Sequence, residues 1–249
     1  MSQHALMRKT GTICVWILTV SLAVAQGEAT PQGPRIMRTG TFHGNEVVAR
    51  SGEQWLALVA ADGGWTLAEA CVQVDPVRDA LQDADGAATG KRVSVAPDGP
   101  VLVLIRGVGG LRPGPVATAA ARPVPLAIGR SVTLQLGDRR YRLAVTCGTA
   151  APVSADNFRE CPLELAEGAR SQRLLNFSVY HPPGGRPVVA SDAQPTLLWA
   201  GDLDRDGALD LLLDITNHYN MSHAALFLSS AAPNGDLVAK VAEFVTYGD

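Results

Sequence analysis

Apolar and polar positions alternate along most of this chain, in short runs separated by turn residues. "QWLALVA" (54–60), "WTLAEACVQV" (65–74), "KRVSVA" (91–96), "VLVLIRGV" (101–108), "SVTLQL" (131–136) and "RRYRLAVTC" (139–147) carry the pattern in the first part, with a weaker run in "NEVVAR" (45–50). "PLELAEG" (162–168), "RLLNFSVY" (173–180), "PTLLWA" (195–200), "ALDLLLDIT" (208–216), "AALFLS" (224–229) and "LVAKVAEFVTY" (237–247) carry it in the second. A period of two predicts strands half-buried on one face. Between the runs lie "ADGG" (61–64), "PDGP" (97–100), "LGDRR" (136–140), "HPPGG" (181–185) and Asn234-Gly235, residue types that favour tight turns. One short helix is allowed in "DPVRDALQDA" (75–84), where Asp75 could cap, Pro76 could open the first turn and Gly86 lies just beyond. The Gly/Pro/Ala-rich stretch 107–130 reads as a long loop or a set of edge segments. The expected fold is mainly β: antiparallel strands in sandwich- or barrel-like sheets, at most one short helix, and a loop-bearing hairpin near the C-terminus.

The N-terminus follows a different pattern. A basic start (Arg8, Lys9), an apolar stretch from Ile13 to Val24 and the small residues Ala23 and Ala25 form a secretory signal peptide, residues 1–25. The stretch is shorter than the roughly 20 apolar residues of a membrane-spanning helix, which argues against an anchor. Ile13 precedes Cys14 where a lipid-attachment site wants a small residue. No second apolar span follows, so the expectation is an exported protein, periplasmic or extracellular, with no membrane span after cleavage. Residues 26–40 lack periodicity and read as a flexible leader. The remainder divides at the Pro/Ser/Asn-rich stretch near 148–160 into two β-rich parts, 41–150 and 151–249.

Charge and cysteine content narrow the partners. The net charge is −3, and removing the signal peptide takes two basic residues and no acids, leaving −5. No basic footprint for nucleic acid exists, and no polybasic patch for anionic lipid. An envelope or extracellular protein, or a glycan, is the class of partner that remains. Export permits disulfides. Cys71, Cys147 and Cys161 follow the cleavage point and allow three single-bridge pairings; sequence proximity favours Cys147 with Cys161.

One segment concentrates chemistry. "GDLDRDGALD" (201–210) sets Asp202, Asp204, Asp206 and Asp210 at positions 1, 3, 5 and 9 of a loop with Gly207 at position 6. Two unscreened carboxylates about 4 Å apart repel by ~4 kcal/mol at an effective dielectric near 20. A cation removes that cost, and Ca²⁺ prefers six to eight hard oxygens. Odd spacing lets alternate side chains turn inward, Gly207 gives the backbone its sharp turn, and the Ala208 carbonyl offers a further ligand. A solvated acidic turn without metal is the alternative. In the following strand, Leu209, Leu211, Leu213 and Ile215 are expected on one face, with Asp210 and Asp214 on the other.

The pattern Asp-x-Asp-x-Asp-Gly-x-x-Asp between apolar strands resembles the calcium loops of FG-GAP and VCBS-type repeats, as in integrin alpha propellers. That resemblance covers the loop and its flanks alone. It implies Ca²⁺ as a structural cofactor, a loop joining two strands, and Asp202, Asp204, Asp206 and Asp210 as side-chain ligands. Leu213 stands where an EF-hand has its bidentate Glu, and the loop occurs once, so neither an EF-hand nor a propeller follows.

Other constellations carry less. "DADGAATGKR" (83–92) has the wrong spacing for a phosphate loop, and "GVGGLRPG" (107–114) lacks a strand–helix context. His218 and His223 in "NHYNMSH" have no third ligand in sequence view. No Gly-x-Ser-x-Gly elbow and no His-Glu-x-x-His is present. No catalytic residue is assigned from the sequence. The expected function is a non-enzymatic binding or structural role with one structural calcium site. The competing expectation is a secreted hydrolase with structural calcium and a dispersed active site near His218 and His223.

Overall fold

Strands built from these alternating runs can bury their apolar faces only against one another, and in the computed structural model they do so in two antiparallel sheets. Residues 33–96, 99–147, 157–189 and 195–248 are described; residues 1–25, expected to be a signal peptide, and residues 26–32 of the expected leader lie outside them. Seventeen strands and no helix occur among the described residues. The larger sheet has twelve strands. Its main path runs β1 (Arg35–Met37), β6 (Val101–Arg106), β3 (Gln54–Ala61), β4 (Gly64–Val77), β7 (Gly114–Ala120), β14 (Thr196–Asp202), β15 (Asp210–Asp214), β16 (Met221–Leu228), β17 (Ala239–Tyr247). β2 (Gly40–Phe42) joins through β5 (Gly90–Ala96), which pairs with β4, and β8 (Val124–Pro125) pairs with β14. β1 comes back against β17, so this sheet is an almost closed barrel. The smaller sheet runs β13 (Val188–Val189), β12 (Arg170–Tyr180), β11 (Phe158–Glu167), β10 (Arg139–Val145), β9 (Ser131–Leu136).

Two cores follow. The first fills the barrel, with Ile36, Met37, Trp55, Leu58, Leu104 and Trp199 among its members. The second lies between the smaller sheet and the outer faces of β14, β15 and β16. Those three strands alternate between the cores. Trp199, Leu212 and Leu226 point into the first, and Ala200, Leu211, Leu213, Ala225 and Phe227 into the second. Strands covered on both faces need nearly continuous apolar sequence, which "DLLLD" and "AALFL" supply.

Several expectations are corrected. Part of the supposed leader, Arg35–Met37, is β1, and Ile36 and Met37 are fully buried. Two apolar residues are too few to show periodicity. The Ala-rich stretch 107–130 contains β7, which sits in the middle of the larger sheet, not at an edge. Its first half pairs with β4 (Trp65↔Val116) and its second with β14 (Gly201↔Thr118). Small side chains give β7 little strand propensity, but its backbone ladder joins the two halves of the barrel.

The allowed helix does not form. Asp75 and Pro76 extend β4, and the capping chemistry falls four residues later, where Asp79 Oδ1 accepts the N–H groups of Leu81 (3.0 Å) and Gln82 (3.2 Å). Leu81 remains 70% exposed, so a helix here would have no apolar face to bury. "NEVVAR" is irregular, although Val47 and Ala49 are buried.

The division near residue 150 falls between β10 and β11, which pair from Tyr141↔Glu167 to Val145↔Leu163. Both sheets draw strands from either side of it, and Gly33–Asp249 forms one compact unit. Cys147 and Cys161 are disulfide-bonded with Cα atoms 4.7 Å apart, tying the end of β10 to β11. Cys71 takes no part in a disulfide.

Candidate metal centre

The acidic loop, residues 203–209, connects β14 to β15 as an antiparallel hairpin closed by the pair Gly201↔Asp210. Its backbone is shaped by two residues at positive φ, Arg205 (64°) and Gly207 (83°). Arg205 is an unusual residue for that conformation, and its guanidinium shows why it is held there. Nε donates to the Pro115 carbonyl (3.0 Å) and Nη2 to the Arg112 carbonyl (3.1 Å), pinning the loop to the start of β7. Gly114 makes room, since a Cβ there would stand 2.9 Å from Arg205 Nη2. From the other side Arg139 on β10 donates to the Gly207 carbonyl (3.2 Å) while gripping Glu167 through Nε (2.6 Å) and Nη2 (3.0 Å).

Within this frame the carboxylates have distinct surroundings. Asp202 Oδ1 and Oδ2 accept the N–H groups of Asp206 and Gly207, each at 3.0 Å, which closes the turn. Asp210 is fully buried on the barrel side of β15. It accepts from Leu203 N (2.6 Å), Ser229 N (2.8 Å) and Ser229 Oγ (2.9 Å). Burial pushes the Asp210 carboxyl up to about 7; the Ser229 N–H opposes this and the neighbouring Asp204 charge adds to it. Asp204 Oδ2 accepts the Ser230 hydroxyl. Asp204 Oδ1 is buried and has no hydrogen-bond partner.

Oxygens of Asp202, Asp204 and Asp210 lie within 4.8 Å of one another. The Asp206 carboxylate is not part of that group. Asp206 Oδ1 accepts the Ala208 N–H (2.8 Å) and Oδ2 the Ser229 hydroxyl (2.9 Å), so the two stand together on the loop rim. Three carboxylates, one of them with a buried oxygen that lacks a partner, form a group of hard oxygen donors of the kind that could hold a metal ion.

Ser229 and Ser230, which follow β16, complete the surroundings. Nothing in "FLSSAA" distinguishes them as site residues; they reach the loop because β16 pairs with β15. Leu209, Leu211, Leu213 and Ile215 share one face of β15, as their spacing predicts, and the opposite face is covered as well. Asp210 faces the barrel interior together with Leu212, and only Asp214 is partly exposed.

The histidine pair does not form a metal group. Among the described residues the ligand-type clusters are Asp202/Asp204/Asp210 and Cys147/Cys161/His181, and the two cysteines of the latter are bonded to each other. His218 stacks on exposed Tyr219 with ring centroids 4.5 Å apart, while His223 Nε2 pairs with Glu243 (3.0 Å). A cleft of about 510 Å³ lies elsewhere, at the C-terminal end of β17, lined by Arg35, His43, Glu46, Gln82, Glu243 and Tyr247 among others. Comparison of the chain with family models, with curated proteins and with solved structures finds no match.

Proposed function

We propose that this is an exported β-protein whose β14–β15 loop holds one structural Ca²⁺, and that it serves a non-enzymatic binding or structural role. The observation that carries the calcium reading is Asp204 Oδ1, a buried carboxylate oxygen without a protein donor, set among the oxygens of Asp202 and Asp210. Leaving such an acceptor unmatched costs about 1–3 kcal/mol, more when it is charged. A divalent cation would satisfy it and offset the repulsion among the three carboxylates. Asp206 and the Ala208 carbonyl are the nearest further donors in sequence. Export is supported by the signal-peptide pattern of residues 1–25 and agrees with the Cys147–Cys161 bridge.

The site stabilises through its position. Asp210 touches both the hairpin and Ser229 beyond β16, so an ion held there would fix three strands of the wall shared by both cores. Extracellular calcium modules bind with Kd on the order of 10⁻⁴–10⁻³ M. At about 1 mM Ca²⁺ and a Kd of about 10⁻⁴ M, the gain is ~1.4 kcal/mol. For a chain of this size that is a rise in Tm of roughly 3–6 °C. Thermal denaturation of the processed chain, with and without Ca²⁺, tests the reading. The shift should be present in the wild type, absent in Asp204→Ala, and much smaller with Mg²⁺. A wild type whose Tm ignores millimolar Ca²⁺ overturns it.

A further inference from the structure

A strand at the end of a sheet path leaves half of its main-chain groups without a ladder. β17 is such a strand. Among the described residues it pairs with β16 alone, and β1, which comes back against it, shares no ladder with it. The hydrogen bonds at its end show which groups face the seam. Gly248 N donates to the Asn220 carbonyl (3.2 Å), on the β16 side. His223, opposite Val245, turns its carbonyl to Ile215 N (2.8 Å), away from β17. Tyr247 and Val245 therefore direct their N–H and C=O groups to the open side, and Glu243 follows by the period of two. Tyr247 N agrees with this parity: it donates to Glu46 Oε1 (2.6 Å), which stands where a neighbouring strand would bring a carbonyl. Glu46 Oε2 accepts the His43 N–H (2.9 Å), which fixes the carboxylate there.

This edge is long as well as open. β1, β2, β8 and β13 have three residues or fewer, too short to template another strand, whereas β17 has nine. The stretch from Glu243 to Tyr247 spans about 13 Å. It forms one side of the 510 Å³ cleft, which Arg35, Asn45 and Glu46 line from the opposite side. Consecutive strands on the nine-strand path are all antiparallel, so β1 and β17 run parallel to each other. A segment laid antiparallel to β17 is thus antiparallel to β1 as well, the sense of every ladder in this sheet.

The charges around the cleft select the occupant. The Glu46 carboxylate is taken up by two N–H groups. Glu243 accepts from Lys240 Nζ (2.6 Å) and pairs with His223 Nε2 (3.0 Å), and His43 pairs with Asp79. Arg35 is half-buried and has no acidic partner among the described residues. We propose that the open edge of β17 and its cleft bind an extended acidic peptide segment of a partner protein. The segment adds as a strand antiparallel to β17, exchanges main-chain hydrogen bonds with Val245 and Glu243, and sets a carboxylate against Arg35. This rests on the binding role proposed above and is independent of the calcium reading.

An NMR titration of the ¹⁵N-labelled processed chain with the capped peptide TVEVT tests it. The Val245 and Glu243 amides should shift saturably with a Kd below about 1 mM, and at tenfold excess over Kd their exchange should slow about tenfold. The same peptide N-methylated on its three central amides should bind at least about tenfold more weakly, because it lacks those donors. TVQVT, or Arg35→Ala with TVEVT, should bind about two- to fivefold more weakly. Val245→Pro removes only an outward N–H, which an edge strand tolerates, and should abolish the shifts. Should Val245→Pro fail to fold, the N-methylated peptide on the wild type decides. Amides that ignore about 5 mM TVEVT, equal binding of the N-methylated peptide, or shifts of the same amides on concentrating the chain alone, which would make the edge a contact between two copies, each overturn the proposal. The Ca²⁺-dependent Tm shift reads the β14–β15 loop separately, so either reading can fail without the other.

Discussion

Adding one methyl group at position 201 should cost far more than its size suggests. Gly201 is the last residue but one of β14, next to Asp202 and across the ladder from β7. A Cβ built there would stand 2.2 Å from the Ala117 carbonyl oxygen and 2.5 and 2.6 Å from two ring carbons of Trp199. Real Cβ contacts do not fall below 3.0 Å, so β7 and β14 would have to part by at least about 0.8 Å. Trp199 cannot swing aside, because it is fully buried in the barrel core. Overpacking of this kind costs about 1–3 kcal/mol. Weakening one or two ladder hydrogen bonds adds about 1 kcal/mol each. Gly201→Ala should therefore lose about 3 kcal/mol, or roughly 6–12 °C in Tm. Urea denaturation followed by far-UV circular dichroism measures it, with the midpoint falling and the m-value unchanged. Two other glycines calibrate the result. Gly63→Ala meets nothing within 4 Å at an ordinary φ and should stay within about 0.5 kcal/mol of wild type. Gly207→Ala also meets nothing, but at φ +83° it should cost about 1 kcal/mol in backbone strain alone. A Gly201→Ala protein no less stable than Gly63→Ala would refute the close approach of β7 and β14.

Reduction of the Cys147–Cys161 bridge, or its replacement by serines, should lose about 3 kcal/mol on loop entropy over the 14-residue separation, read as a lower urea midpoint under reducing conditions. Arg139→Ala should cost roughly 1–2 kcal/mol and Arg139→Lys about half of that, because only the guanidinium can grip Glu167 with two nitrogens and still reach Gly207; equal stability of Lys and Arg would refute this. The Arg139 hydrogen bond holds the Glu167 carboxyl below the usual range, so its contribution is present above about pH 4.5 and lost as the pH falls through the folded-state value. Acid denaturation of Arg139→Ala should accordingly show a weaker pH dependence there than wild type. Leu211→Asp and Leu212→Asp should be equally damaging, since each buries a charge in a different core; tolerance of either would contradict the two-sided burial of β15.

Legibility in the sequence followed the length of the alternating runs. β3, β4, β10 and β12 announce themselves because six or more residues carry the period, and the β14–β15 hairpin is visible from the acidic loop between apolar flanks. The Cys147–Cys161 pairing was open on sequence alone, and proximity pointed to it. What escaped notice depends on partners distant in the chain. β1 is two buried residues that count as a strand only because β6 lies beside them. β7 has no propensity signal and is specified by β4 and β14 on its flanks. Alternation separates Leu211 and Leu213 from Asp210 and Leu212 correctly, but it distinguishes two faces of a strand without saying that both are covered. In the acidic loop, three carboxylates converge as their odd spacing suggests, whereas Asp206 is drawn aside by Ser229, a residue no local pattern connects to it.

The wall formed by β14, β15 and β16 leaves the molecule no way to come apart in stages there. Melting the barrel would strip one side of that wall, and peeling off the smaller sheet would strip the other; either event exposes leucines that still need shelter. The two hydrophobic interiors are thus thermodynamic neighbours with a common partition, and heating should reveal one calorimetric transition whose van't Hoff and measured enthalpies agree.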